Sequence, residues 1–138
     1  MPEMSTDERV LCDIQGRLFE NSLTAGYDSP SFIAAFMDSE IAEYMDKPYD
    51  RYQWAGEEYL MEALLDETKG LPEAGILYDK EVMYWCGYIY RYWHYYTGES
   101  SRQIYAVSDA EKMNRCWLAF HTLDVEMAID DLKANRAV

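Results

Sequence analysis

The stretch YDKEVMYWCGYIYRYWHYY, Tyr78 to Tyr96, holds nine of the seventeen tyrosines and tryptophans of this 138-residue chain. Rings this dense serve either as the axis of a core or as a surface that grips a partner, because each couples a large apolar body to a polar tip. On a helix turning ~100° per residue, Val82, Trp85, Cys86, Ile89, Trp93 and Tyr96 fall on one side, which reads as core. The opposite side gathers Tyr84, Tyr88, Arg91 and Tyr95, with Tyr92 on its flank and Gly87 and His94 between the two sides. Two readings stay open. In one the helix is central and packed all round, its hydroxyls threading to solvent or buried acceptors. In the other Tyr84, Tyr88, Arg91 and Tyr95 are exposed together as a binding face. Gly87 costs the helix ~1 kcal/mol relative to alanine, so a neighbouring backbone or a ligand is expected to approach there.

Helical punctuation surrounds this segment. Asp79 is placed to cap the aromatic helix and Gly98 to end it. Upstream, Ser5 with Glu8 makes a capping-box pattern ahead of Val10, Leu11, Ile14 and Leu18 at helical spacing. Ser29 before Pro30 predicts a second helix with Ile33, Met37, Ile41 and Tyr44 on one face, stopped by Pro48. A third is expected over Tyr52 to Thr68, with Trp54, Tyr59, Leu60, Ala63 and Leu64 toward the core and Gly70 beyond its end, followed by a loop from Leu71 to Leu77. Downstream, Ser100 with Gln103 and Ser108 with Glu111 repeat the capping-box pattern, and Asp124 precedes Val125, Ala128, Ile129 and Leu132. No segment alternates as a strand does. The expected fold is all-α, one compact domain spanning 1–138 with six or seven helices around the aromatic one.

Acidity is the compositional outlier: 26 Asp and Glu against 12 Lys and Arg leave a net charge of −14. Such a field repels nucleic acid and anionic membrane, whose binding depends on basic groups that displace counterions, and favours a basic partner. The surplus is local. Between Asp38 and Glu67 stand ten carboxylates, Asp50 among them, against Lys47 and Arg51, whereas Tyr78 to Gln103 is neutral. Glu58, Glu62 and Asp66 recur every four residues and form one stripe, a candidate partner-facing surface if they are not simply a solvated helix face.

Residue types that carry chemistry are sparse. Cys12, Cys86 and Cys116 have neither paired nor zinc-ligand spacing and read as buried, inert thiols in a reducing compartment. Neither His94 nor His121 follows a Glu by three residues, so the Glu-x-x-His pairs of di-iron bundles are absent, and His121 reads as a turn residue. No phosphate loop, nucleophile elbow or metalloprotease motif stands in the chain. The expectation is a non-enzymatic protein with no cofactor. With no basic leader and no long apolar run, it is expected in the cytoplasm.

Three stretches carry a family resemblance: DKPYDRYQWAGEEYLMEALL from Asp46, KEVMYWCGYIYRYWHYYTGESSRQIY from Lys80 and FHTLDVEMAIDDL from Phe120. Over Ser31 to Leu132 the chain resembles a family of small, acidic bacterial proteins encoded in toxin–antitoxin-like gene clusters, beside ADP-ribosyltransferase-type toxins. The resemblance implies an antitoxin or accessory role against a basic partner protein, and it carries no catalytic residue. Two other functions fit the composition: a small-molecule site in which Tyr84, Tyr88, Arg91, His94 and Tyr95 line a pocket for a nucleotide-like anion, with Arg91 as counter-charge, and an acidic nucleic-acid mimic. A homodimer through the aromatic face is compatible with each.

Overall fold

A computed structural model describes residues 4–48 and 51–134, so Asp50 of the acidic segment lies outside the described residues. Within them the chain is all-helical, with an isolated bridge between Tyr27 and Glu73 in place of any strand. The helices are α1 (Thr6–Thr24), α2 (Ser29–Met37), α3 (Glu40–Asp46), α4 (Glu57–Thr68), α5 (Lys80–Thr97), α6 (Ser101–Val107), α7 (Ala110–Phe120) and α8 (Val125–Lys133), with a short 3-10 turn at Arg51–Trp54.

Eight α-helices replace the expected six or seven because the second segment breaks in two. The hydroxyl of Ser39 accepts from the Ala42 amide and donates to the Phe36 carbonyl at 2.6 Å, so one residue closes α2 and caps α3. The third expected helix also divides: only Glu57–Thr68 is α-helical, and Tyr52 to Trp54 belong to the 3-10 turn. Two caps move by one residue. Asp28, not Ser29, caps α2, and Asp109, not Ser108, caps α7, in both cases because a carboxylate reaches the orphan amide three residues on. The capping boxes at Ser5 and Ser100 form as expected, and Gly98 ends α5 at φ 80°. Replacing Ser100 by alanine is expected to lower stability by ~1 kcal/mol, read as a shift of the urea midpoint with unchanged slope.

Helix α5 is the axis, touching α1, α6, α7 and α8. Its contact with α1 is the most extensive in the molecule, and it runs through a glycine pair. A Cβ on Gly87 would lie 2.4 Å from the Gln15 carbonyl oxygen and 2.9 Å from the Gly16 Cα, so two backbones meet where the sequence predicted a close approach. The Gln15 amide donates to the Gly87 carbonyl at 3.0 Å across the same crossing.

The buried face of α5 is wider than the helical angles suggested. Met83, Tyr90 and Arg91 are buried together with Val82, Cys86, Ile89 and Trp93, while Trp85 and Tyr96 are only half-buried. Tyr90 reaches the aromatic centre of the core, where Phe19 sits edge-on to Phe32 at 5.2 Å and to Phe36 at 5.5 Å, and its hydroxyl donates to the Ser108 carbonyl at 2.7 Å. Trp93 donates to Glu99, which also receives Lys133. On the periphery Trp54, Tyr59 and Val10, expected at least partly inward, are exposed. Among the described residues no helix is long and apolar enough to cross a membrane.

Candidate functional site

Of the two readings left open for Arg91, packed within the fold or exposed on a tyrosine face, the first holds: its side chain is 1% exposed. Helix α5 carries it inward because its guanidinium finds acceptors on three other helices. Nε donates to Gln15 Oε1 of α1 at 2.8 Å, Nη1 to Asp46 Oδ1 at the end of α3 at 2.7 Å, and Nη2 to Ser101 Oγ of α6 at 3.3 Å. Asp46 is satisfied in turn by the amide of Ser101 and by its hydroxyl, each at 2.8 Å, and so also serves the N-terminus of α6. A buried charge is tolerated only when paired and hydrogen-bonded, and this one is both. Arg91 is therefore a structural rivet with no free charge for a ligand.

The other candidates on α5 separate into two places. Tyr84, Tyr88 and Tyr92, four residues apart, form a half-buried ladder with centroid spacings of 6.0 and 6.3 Å. Its ends are tied down, Tyr84 donating to Asp13 of α1 and Tyr92 to Glu126 of α8. His94 and Tyr95 instead line a cleft of about 490 Å³ with Leu11, Asp46 and Trp54. The His94 Nδ1 lies 2.7 Å from the Glu99 carbonyl, which only accepts, so that nitrogen carries the proton. The Tyr95 hydroxyl is shut off from solvent and has no hydrogen-bond partner among the described residues, and burial pushes its phenol up to about 12. Tyr84, Tyr88, Arg91, His94 and Tyr95 thus do not share a pocket, and the expected anion counter-charge is already neutralised.

Cys12, Cys86 and Cys116 are buried and unpaired, and burial pushes the Cys12 thiol up to about 12, which disfavours the nucleophilic thiolate. His121 caps the end of α7 and stacks on Trp117 at 4.0 Å, the turn role expected of it. Among the described residues no group of three or more His, Cys, Asp or Glu side chains is placed to hold a metal ion.

The open site lies on the acidic segment. Glu58, Glu62 and Asp66 are exposed along α4. Some carboxylates elsewhere have cations nearby: Asp38 and Glu43 share Arg102, Asp13 meets Arg17, and Glu99 meets Lys133. The three stripe residues have no ion pair among the described residues. Glu62 and Asp66 also line a groove of about 770 Å³ between α3, the 3-10 turn and α4; Glu58, one turn earlier, does not. The same groove holds a tyrosine stair that pattern reading missed, and its Tyr59 lies on α4 on the same face as Glu62 and Asp66. Tyr44 and Tyr52 stack at 5.1 Å with 10° between their planes, and Tyr59 continues the stair at 5.9 Å from Tyr52. Its members come from three different elements, so no helical period links them; the only sequence signal is aromatic density beside the carboxylates.

No protein-family model, curated protein or solved structure matches the chain.

Proposed function

We propose that the chain is a non-enzymatic protein-binding protein, an antitoxin or accessory component of a toxin–antitoxin-like module that binds and inhibits a partner with a basic surface. The unpaired stripe of Glu58, Glu62 and Asp66 carries this reading. Like charges one turn apart weaken a helix by a few tenths of a kcal/mol per pair. A cationic partner surface would relieve that repulsion and would be steered onto the stripe by the same field. The family resemblance and the net charge of −14 support the same partner class.

Co-expression with the gene product encoded beside this chain, followed by size exclusion, is expected to give one co-eluting complex. Two separate peaks at micromolar concentration overturn the reading. If added DNA displaces the partner, the stripe acts as a nucleic-acid mimic, and the antitoxin reading gives way to that one. The combined change Glu58→Lys, Glu62→Lys and Asp66→Lys is expected to slow association by roughly 10-fold or more at low salt, since steering by clustered charge accelerates encounter by that order. The difference should shrink at ~0.5 M salt, where charges are screened within a few ångströms.

A further inference from the structure

Resting on the reading above, we infer that the groove between α3, the 3-10 turn and α4 is the docking seat, and that its occupant is a lysine- or arginine-bearing segment of the partner. The cation lies on the tyrosine stair and faces Glu62 and Asp66.

The rings and the carboxylates select this chemistry together. Tyr44 and Tyr52 are stacked on each other, and Tyr59, tilted at the exposed end of the stair, offers a ring whose quadrupole attracts a cation. Tyr59, at 49% exposed, leaves its ring accessible. The chain already shows the preference at one end of the stair, where the Lys47 ammonium lies 5.0 Å from the centroid of Tyr44. The remaining lining adds Glu40 and Glu67, with Lys69 the one cation among the described lining residues. Glu67 is held in place by accepting the Glu40 amide at 3.0 Å, so part of the negative wall is fixed before a partner arrives.

Other occupants fit less well. A phosphate or nucleotide would meet Glu40, Glu62, Asp66 and Glu67 with Lys69 as the one cation among the described lining residues, a balance that repels an anion. A second copy of this chain would bring another acidic surface to an acidic groove. A purely apolar helix would desolvate Glu62 and Asp66 with nothing to pair them, which costs more than its own burial returns. An arginine satisfies rings and carboxylates at once, its plane against a ring and its fork against a carboxylate.

A capped hexa-arginine peptide titrated into the full chain by calorimetry tests the assignment, with amide chemical shifts followed in parallel. Glu62→Gln with Asp66→Asn is expected to weaken binding about 10-fold, and Tyr59→Leu several-fold, whereas Tyr59→Phe, which keeps the ring, stays within about 2-fold. The charge-matched control Glu81→Gln with Glu111→Gln, outside the groove, is expected to stay within about 2-fold. Shift changes should concentrate on Tyr44, Tyr52, Tyr59, Glu62 and Asp66. Equal weakening by both charge pairs with no effect of Tyr59→Leu means a diffuse field and overturns the assignment. If the neighbouring gene product binds but the groove variants leave its affinity unchanged, the groove assignment fails while the protein-binding reading stands. If the peptide occupies the groove and the neighbour does not bind, the groove assignment stands and the antitoxin reading fails.

Discussion

Asp46→Ala is expected to remove about 3–5 kcal/mol of stability, the usual cost of stripping the counter-ion from a buried charge. A marginally stable domain holds about 5–15 kcal/mol in total, so this substitution alone takes a large share of it. The geometry explains the size. Asp46 neutralises the Arg91 guanidinium at 2.7 Å and also accepts the Ser101 amide, so its loss leaves a charge and that amide unsatisfied. The Arg91 side chain is only 1% exposed on α5. Asp46→Asn, which keeps an acceptor oxygen, should cost less than the alanine change. Adding Arg91→Met to Asp46→Ala should recover most of the loss, because an uncharged side chain of similar length has no desolvation to offset. Urea denaturation of the two single variants and the double closes a cycle, expected to show a coupling energy above ~1 kcal/mol. Additive single effects would mean that the pair does not act as a unit.

Gly87→Ala is expected to destabilise by about 1–3 kcal/mol, the range seen when extra methylenes are forced into a close-packed interior. Helix propensity alone argues the opposite, since alanine is favoured over glycine by ~1 kcal/mol in a helix interior. The contact distances decide between them. The new Cβ would meet Gln15 carbonyl oxygen at 2.4 Å and the Gly16 Cα at 2.9 Å, both main-chain atoms that cannot rotate away, so α1 would have to shift bodily. Gly16→Ala provides the comparison. Its Cβ would meet the Tyr84 ring at 2.7 Å and main chain only at 3.1 Å, the Tyr84 carbonyl oxygen, a looser backbone contact than the 2.4 Å at Gly87. The expected order is therefore Gly87→Ala well below Gly16→Ala, both measured as shifts in the urea midpoint. A neutral or stabilising Gly87→Ala would mean that the two helices are not held at this distance.

The sequence announces these two features unequally. Gly87 was legible because a glycine inside a strongly helical run is a local anomaly with few physical causes. Ser5, Ser100 and Gly98 were legible for the same reason: a cap acts on amides and carbonyls within four residues of itself. The break at Ser39 was hidden, since Ile33, Met37, Ile41 and Tyr44 keep helical spacing across it. The place of Arg91 stayed open because helical angle sorts residues by face and says nothing of partners on other elements. Its partners Gln15, Asp46 and Ser101 lie 76, 45 and 10 residues away, and only the fold brings them together. Trp54 and Tyr59 were assigned inward on apolarity alone, yet the 3-10 turn rotates the segment and leaves both in solvent. The acidic stripe was fully legible, being a four-residue period on one helix, but the tyrosine stair beside it was not.

The crossing of α1 over α5 also governs the order of events as the chain emerges from the ribosome. Gln15 and Gly87 are 72 residues apart, so α1 is synthesised long before its principal docking surface exists. At about 5–20 residues per second, that interval is on the order of 4–14 s. During it the apolar side of α1, with Leu11, Leu18 and Phe19, has only α2, α3 and α4 for cover. The contact between α1 and α5 therefore waits until α5 has been made, with α6, α7 and α8 added to α5 later still, and loop closure over this length slows folding relative to a bundle of sequential neighbours. A nascent chain arrested before Lys80 would present that face unpaired, as a substrate for chaperones.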